Sequence, residues 1–233
     1  MTHPVILEIA VESAGAAQAA ERGGADRIEL CADLGCGGLT PSAEIMRQAR
    51  NAVKIPIYAM IRPRAGNFAY NGEEFSAMCR GVELAREMKM DGVVLGILRE
   101  DCSVDVTRTR ELVAQARPMK VTFHRAFDEC GDLRRALDEV IETGADRILT
   151  SGGKLDVMAG QHTLRALVEA AGERIVIMPG GGITPENFAQ VQQATGAREF
   201  HSGLGRVLAY GSGDGGEFEE QVKRLVGLRG GPI

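Results

Sequence analysis

Short apolar runs of about strand length alternate with longer amphipathic segments along the whole chain. VILEIA (5–10), DRIELC (26–31), PIYAMI (56–61), GVVLGI (92–97), KVTFHR (120–125), DRILTS (146–151), RIVIMP (174–179) and REFHS (198–202) read as strands. Helix-period segments lie at 13–23, 41–52, 73–89, 105–116, 131–143, 161–171 and 184–194, and a last one at 217–227. Eight strand–helix units without a composition break predict a single α/β domain over residues 1–233, a closed (β/α)8 TIM barrel. A weak repeat agrees: GGADRIEL at 23–30 returns as TGADRILT at 143–150, and more loosely as TGAREFHS at 195–202. Each copy reads as a helix-ending glycine followed by a strand. Thr40-Pro41 and Thr184-Pro185 read as an N-cap with proline in the first helical position. GSGDGG at 211–216 reads as a flexible loop before the last helix.

Within the strands one parity is apolar and must face the helices: Val5, Leu7, Ile9, Ile28, Leu30, Ile57, Ala59, Ile61, Val121 and Phe123. The other parity then points into the barrel and carries Glu8, Arg27, Glu29, Cys31, Arg62, Thr122, His124 and His201, with Met60 and Met178. Buried charges must pair, change protonation or face a wet cavity. An internal ion-pair network is one outcome. The lean of Glu29, Arg62, His124 and His201 toward strand carboxyl ends favours another, because that end carries active sites in this fold.

Several groups extend the pattern. Arg62 and Arg64 flank Pro63 and offer forked donors for a carboxylate or phosphate. Glycine-rich turns after strands six to eight contain Ser151 and Gly152, Gly181 and Gly182, and Ser202 and Gly203, and can cradle an anion. Asp128 is placed to orient His124, to pair with Arg62 or to serve as an ordinary loop acid; Arg125 has the opposite parity and reads as structural. His124 is expected within reach of a carboxylate from Glu8, Glu29 or Asp128, with its pKa raised toward neutrality. Glu8, Glu29, His124 and Asp128 are thus the candidate proton-transfer groups.

Composition narrows the function. The net charge is −5 and the charges are interleaved, so no basic face suggests nucleic acid or a membrane surface. No apolar run approaches a membrane span, and the first residues lack a signal-peptide pattern; a cytoplasmic location is expected. Five cysteines without a C-x-x-C pair argue against a disulfide framework or a structural zinc site.

GGADRIELC, GGLTPS, MIRPRAGNFAY, VTFHRAFDEC, ADRILTSGG and EFHSG together resemble the CutC family of copper homeostasis proteins, over about residues 5–205. The resemblance implies a (β/α)8 barrel, a cytoplasmic homodimer or higher homo-oligomer, and Cu(I) as ligand. It also implies a metal-binding role for Cys31, which ends the second strand. The other cysteine proposed as a ligand in animal members falls at Ala10 here. Two readings follow: a copper-binding protein, or a barrel that binds or transforms a small phosphorylated or carboxylated metabolite. For the second, isomerisation, aldol-type cleavage and hydrolysis remain open.

Overall fold

The computed structural model describes residues 5–204 and 216–229. Its strands are β1 (Ile6–Val11), β2 (Arg27–Leu30), β3 (Ile57–Met60), β4 (Gly92–Leu95), β5 (Lys120–Phe123), β6 (Arg147–Thr150), β7 (Val176–Pro179) and β8 (Glu199–Ser202). The helices are α1 (Ala14–Arg22), α2 (Ala43–Ala52), α3 (Gly72–Glu87), α4 (Val106–Ala116), α5 (Leu133–Thr143), α6 (Val157–Ala171), α7 (Phe188–Thr195) and α8 (Gly216–Gly227). Each strand pairs in parallel with the next from β1 to β7, and β8 pairs with β1. A bridge between Gly180 and His201 completes the ring, so this is a nearly closed TIM barrel. Among the described residues, no helix is long and apolar enough to cross a membrane. Of the glycine-rich segment 211–216, only Gly216 lies within the described residues, at the start of α8.

The apolar parity faces the helices as expected. Leu7, Ile9, Ile28, Leu30, Ile57, Ala59, Ile61, Val121 and Phe123 are fully buried in one core shared with helix residues such as Ala17, Met46, Val82, Leu112, Leu137 and Leu164. Inside the barrel a smaller apolar cluster joins Ala10, Cys31, Leu34, Tyr58, Met60 and Val94.

Most helix starts are fixed by a polar side chain accepting a backbone N–H: Ser13, Ser42, Asn71, Asp105, Asp132 and Asp156. The two Thr-Pro caps read from sequence are displaced. Ser42 caps α2, while the Thr40 hydroxyl bonds both backbone groups of Arg62 and ties the β2–α2 loop to the end of β3. Thr184 and Pro185 precede a turn in which Asn187 accepts from the Thr184 N–H, and α7 begins only at Phe188.

Candidate functional site

Strand register builds the site. Glu8 on β1 lies level with Arg27 on β2 and with His201 on β8. Glu29 sits one inward position higher, level with Ala10 and Tyr58. The Arg27 guanidinium donates to Glu8 through Nε and to Glu199 through Nη2 at 2.7 Å. Arg147 reaches Glu199 at 3.1 Å, and both arginines lie over the Tyr58 ring, at 4.8 and 5.0 Å. This charged layer closes the barrel's lower interior.

Above it, His201 Nδ1 is 2.8 Å from Glu8 Oε1 and its Nε2 is 3.8 Å from Glu29 Oε2. Burial would raise the Glu8 carboxyl, but the Arg27 charge and the His201 hydrogen bond hold it well below its ordinary value. Burial and the Glu8 charge raise Glu29. Burial alone would lower His201, yet Glu29 and Glu8 outweigh it and hold the imidazole above its ordinary value. Two carboxyl groups are thus driven apart around one imidazole, the pattern that assigns acid and base roles.

The floor opens into a cavity of about 810 Å³ at the carboxyl end of the strands. Glu29, Met60, Arg62, His124, Asp128, Gly181, Gly182, His201 and Gly203 line it, as the sequence pattern brings them together. Leu149 of β6 adds apolar wall, as do Phe68, Leu34 and Ile183, which lie outside the strands and which no periodic pattern marked. Positive φ at Gly181 (106°) and Gly182 (86°) lets that backbone run along the wall.

His124 departs from expectation. Its ring has no carboxylate partner; Nδ1 accepts the Ala126 N–H at 3.2 Å, Phe68 packs on it at 4.9 Å, and Nε2 is buried without a partner. Burial and the Arg62 charge push its pKa down to about 3, the reverse of the rise expected. The carboxylates expected beside it surround His201 instead. Gly96 makes room for the ring, since a Cβ there would lie 2.6 Å from His124 Nδ1.

The anion-binding set is largely committed within the chain. Asp128 accepts from the Thr150 hydroxyl, from the Ser151 and Gly153 amides at 3.1 and 2.9 Å, and from Arg125 Nε at 2.8 Å. The Ser151 turn therefore already holds an anion, the protein's own carboxylate, and Asp128 is tied down rather than set beside His124. The Gly152 amide bonds the Thr150 hydroxyl. Arg62 donates to the carbonyls of Cys36, Gly38 and Gly66 and lies over Phe68. Arg64 leaves the site: it pairs with Glu74, bonds the Ala69 carbonyl and lines a separate cavity. Ser202 does not line the main cavity; its hydroxyl bonds the Ile183 carbonyl.

The metal donors fit unevenly. Cys31 is fully buried and donates its thiol to Glu29 Oε2 at 3.5 Å; burial and the Glu29 charge push its pKa well up. Thiolate is the form that binds Cu(I). Beside it stand Met60 and Ala10, so these residues do not compose a two-thiolate site within one chain. The oxygen- and nitrogen-bearing trio Glu8, Glu29 and His201, with donor atoms within 4.8 Å of one another, is the metal-compatible group among the described residues. Arg27 and His201 already engage the Glu8 carboxylate.

Arg147 and Glu199, outside the inward set named from the sequence, complete the lower charged layer. The repeat held the signal for Arg147, which occupies in ADRILT the place Arg27 has in ADRIEL.

Comparison with known proteins agrees with this barrel. The CutC family model matches residues 5–206. A CutC family protein of Chromobacterium violaceum is 48% identical over 205 residues, covering 88% of this chain and 83% of the relative. A human protein named copper homeostasis protein cutC homolog is 44% identical, covering 84% of this chain and 72% of its own length. The crystal structure of CutC from Streptococcus agalactiae superposes with a TM-score of 0.81 at 33% identity, covering 85% of this chain and 98% of that one. A KDPGal structure at 17% identity and a TM-score of 0.62 shares the fold. With the family model spanning most of the chain and relatives at this identity, the protein belongs to the CutC family.

Proposed function

We propose that this CutC-family barrel binds a small polar metabolite in its mouth and moves a proton on it, with Glu29 and His201 as the acid–base pair. The observation that carries this reading is the Glu8–His201–Glu29 arrangement, in which His201 and Glu29 line the cavity and the fully buried Glu8 holds His201 from behind. Glu8, ionised and bonded to Arg27, fixes the imidazole; Glu29 faces the cavity with Oε1 unpartnered. A carboxyl group with a raised pKa is both a better base when ionised and available as an acid at higher pH than an ordinary carboxyl. The five free thiols fit a reducing, cytoplasmic setting.

A second reading, copper handling, is favoured by the human relative's name and by the soft atoms of Cys31 and Met60 on the inner wall. The protonated, hydrogen-bonded state of Cys31 weighs against it as the principal role.

One experiment separates them. Saturation-transfer NMR with a panel of sugars, hydroxy acids and keto acids is run beside a Cu(I)-chelator competition, on wild type, Glu29→Gln and Cys31→Ser. Binding of a panel member that Glu29→Gln weakens at least tenfold and Cys31→Ser leaves unchanged is the expected result. Tight stoichiometric Cu(I) lost in Cys31→Ser, with no panel member bound, overturns the proposal.

A further inference from the structure

Three buried polar atoms on residues of the cavity wall lack partners, Arg62 Nε, His124 Nε2 and Glu29 Oε1, and the last two are chemically complementary. His124 and Glu29 are 4% and 3% exposed, and both line the cavity. His124 Nδ1 accepts the Ala126 N–H, so the neutral ring carries its proton on Nε2, the unpartnered nitrogen. Glu29 bonds Cys31 through Oε2 and leaves Oε1 unpartnered. One residue follows β5 and the other lies on β2, three strands apart in an eight-stranded ring, so a ligand filling the cavity meets both. A buried donor or acceptor left without a partner is costly, and a native fold keeps such a pair where something else completes it.

We infer that the ligand is a small ketone or aldehyde with an α C–H, whose carbonyl oxygen accepts the His124 Nε2–H while the Glu29 carboxylate takes the α proton. This rests on the acid–base reading above and deepens it. In the step, the C–H bond breaks and its electron pair becomes the new C=C bond. The carbonyl π pair moves to oxygen, and the proton resides on Glu29. His124 keeps its own proton and hydrogen-bonds the enolate oxygen, where a fixed donor in a dry site is worth most. Return of the proton to the same carbon exchanges its hydrogen with solvent. Where the α carbon carries a hydroxyl, the intermediate is an enediolate. Return of the proton to the former carbonyl carbon, with the α-hydroxyl proton passing to the former carbonyl oxygen and a new C=O forming at the α carbon, then isomerises the compound. A neutral imidazole suits this role because its N–H stays in place throughout, and burial and Arg62 keep it neutral. An imine route is not on offer, since no lysine lines the cavity among the described residues.

The test follows deuterium incorporation at the α carbon of hydroxyacetone and of dihydroxyacetone in D2O by proton NMR, with circular dichroism as the control for folding. Two substitutions dissect the ring. His124→Asn leaves an oxygen where Nδ1 accepts the Ala126 N–H and deletes the Nε2 donor; His124→Gln places an amide N–H near Nε2. Exchange catalysed by wild type, about 100-fold slower in His124→Asn, within about tenfold of wild type in His124→Gln and abolished in Glu29→Gln is the expected pattern. Equal exchange in wild type and His124→Asn overturns the carbonyl contact, and leaves the acid–base reading standing if Glu29→Gln still abolishes exchange. No exchange by wild type on either probe also overturns it; the metabolite-panel experiment then decides the acid–base reading separately.

Discussion

Arg27→Met is expected to destabilise the fold by about 3–5 kcal/mol, the range for breaking a buried ion pair by removing one partner. The Arg27 side chain is 7% exposed. It joins Glu8 to Glu199, contacts Met178 Sδ at 3.2 Å and lies over Tyr58. Methionine can fill much of its volume but leaves two carboxylates inside the barrel with only Arg147 and His201 between them. The cost is therefore one of uncompensated charge rather than lost packing. Adding Glu8→Gln should recover part of the loss, because one orphaned charge is then removed. Urea denaturation of the two variants at neutral pH measures both effects. A loss below about 1 kcal/mol for Arg27→Met would show that this layer is solvated like a surface pair.

Acidification should cost the protein about 3 kcal/mol through His124 alone between neutrality and pH 4. The ring is held at about 3 in the fold, against an ordinary value of 6.5. Between those values the unfolded chain binds a proton that the folded chain refuses, so stability falls as pH falls through that window. His201 acts with the opposite sign. Its raised value contributes stability that is fully present below 6.5 and is lost as pH rises through its folded value. The two histidines therefore penalise opposite sides of neutrality. Denaturation of wild type and His124→Asn at pH 7, 5.5 and 4 checks the acid side: the wild-type advantage should shrink by about 3 kcal/mol on going to pH 4. Parallel losses in the two proteins would mean that His124 titrates normally.

The inward set was legible because strand alternation is strict: the apolar parity could only face helices, which left Glu8, Arg27, Glu29, His124 and His201 inside. Pairings within the set were harder. Parity gives a side chain's face, while its partner depends on which strands are neighbours and at what register. In a barrel β8 lies beside β1, and the register there sets Glu8 level with His201, not with His124 across the ring. The partners of Asp128 stayed open for a related reason. Five residues after β5 form a short 3-10 turn that swings it toward the exit of β6, where the Ser151 turn supplies amides. Phe68 carries no periodic signal, since it comes from an irregular loop. Arg64 follows Pro63 out of β3 and meets Glu74 on α3, a contact that spacing alone does not specify.

Centrally, the cavity floor holds His201 between two unlike carboxyl groups that raise its pKa, while His124 stays neutral. The most direct measurement is a pH titration of the ring nitrogens in 15N-histidine-labelled protein, wild type and Glu29→Gln, between pH 5 and 9. The account predicts an unchanging Nε2–H tautomer for His124 throughout. It predicts that His201 keeps both ring protons past pH 6.5 in wild type and releases one at lower pH in Glu29→Gln. A His201 ring that loses its proton below pH 6.5, at the same pH in both proteins, would contradict it.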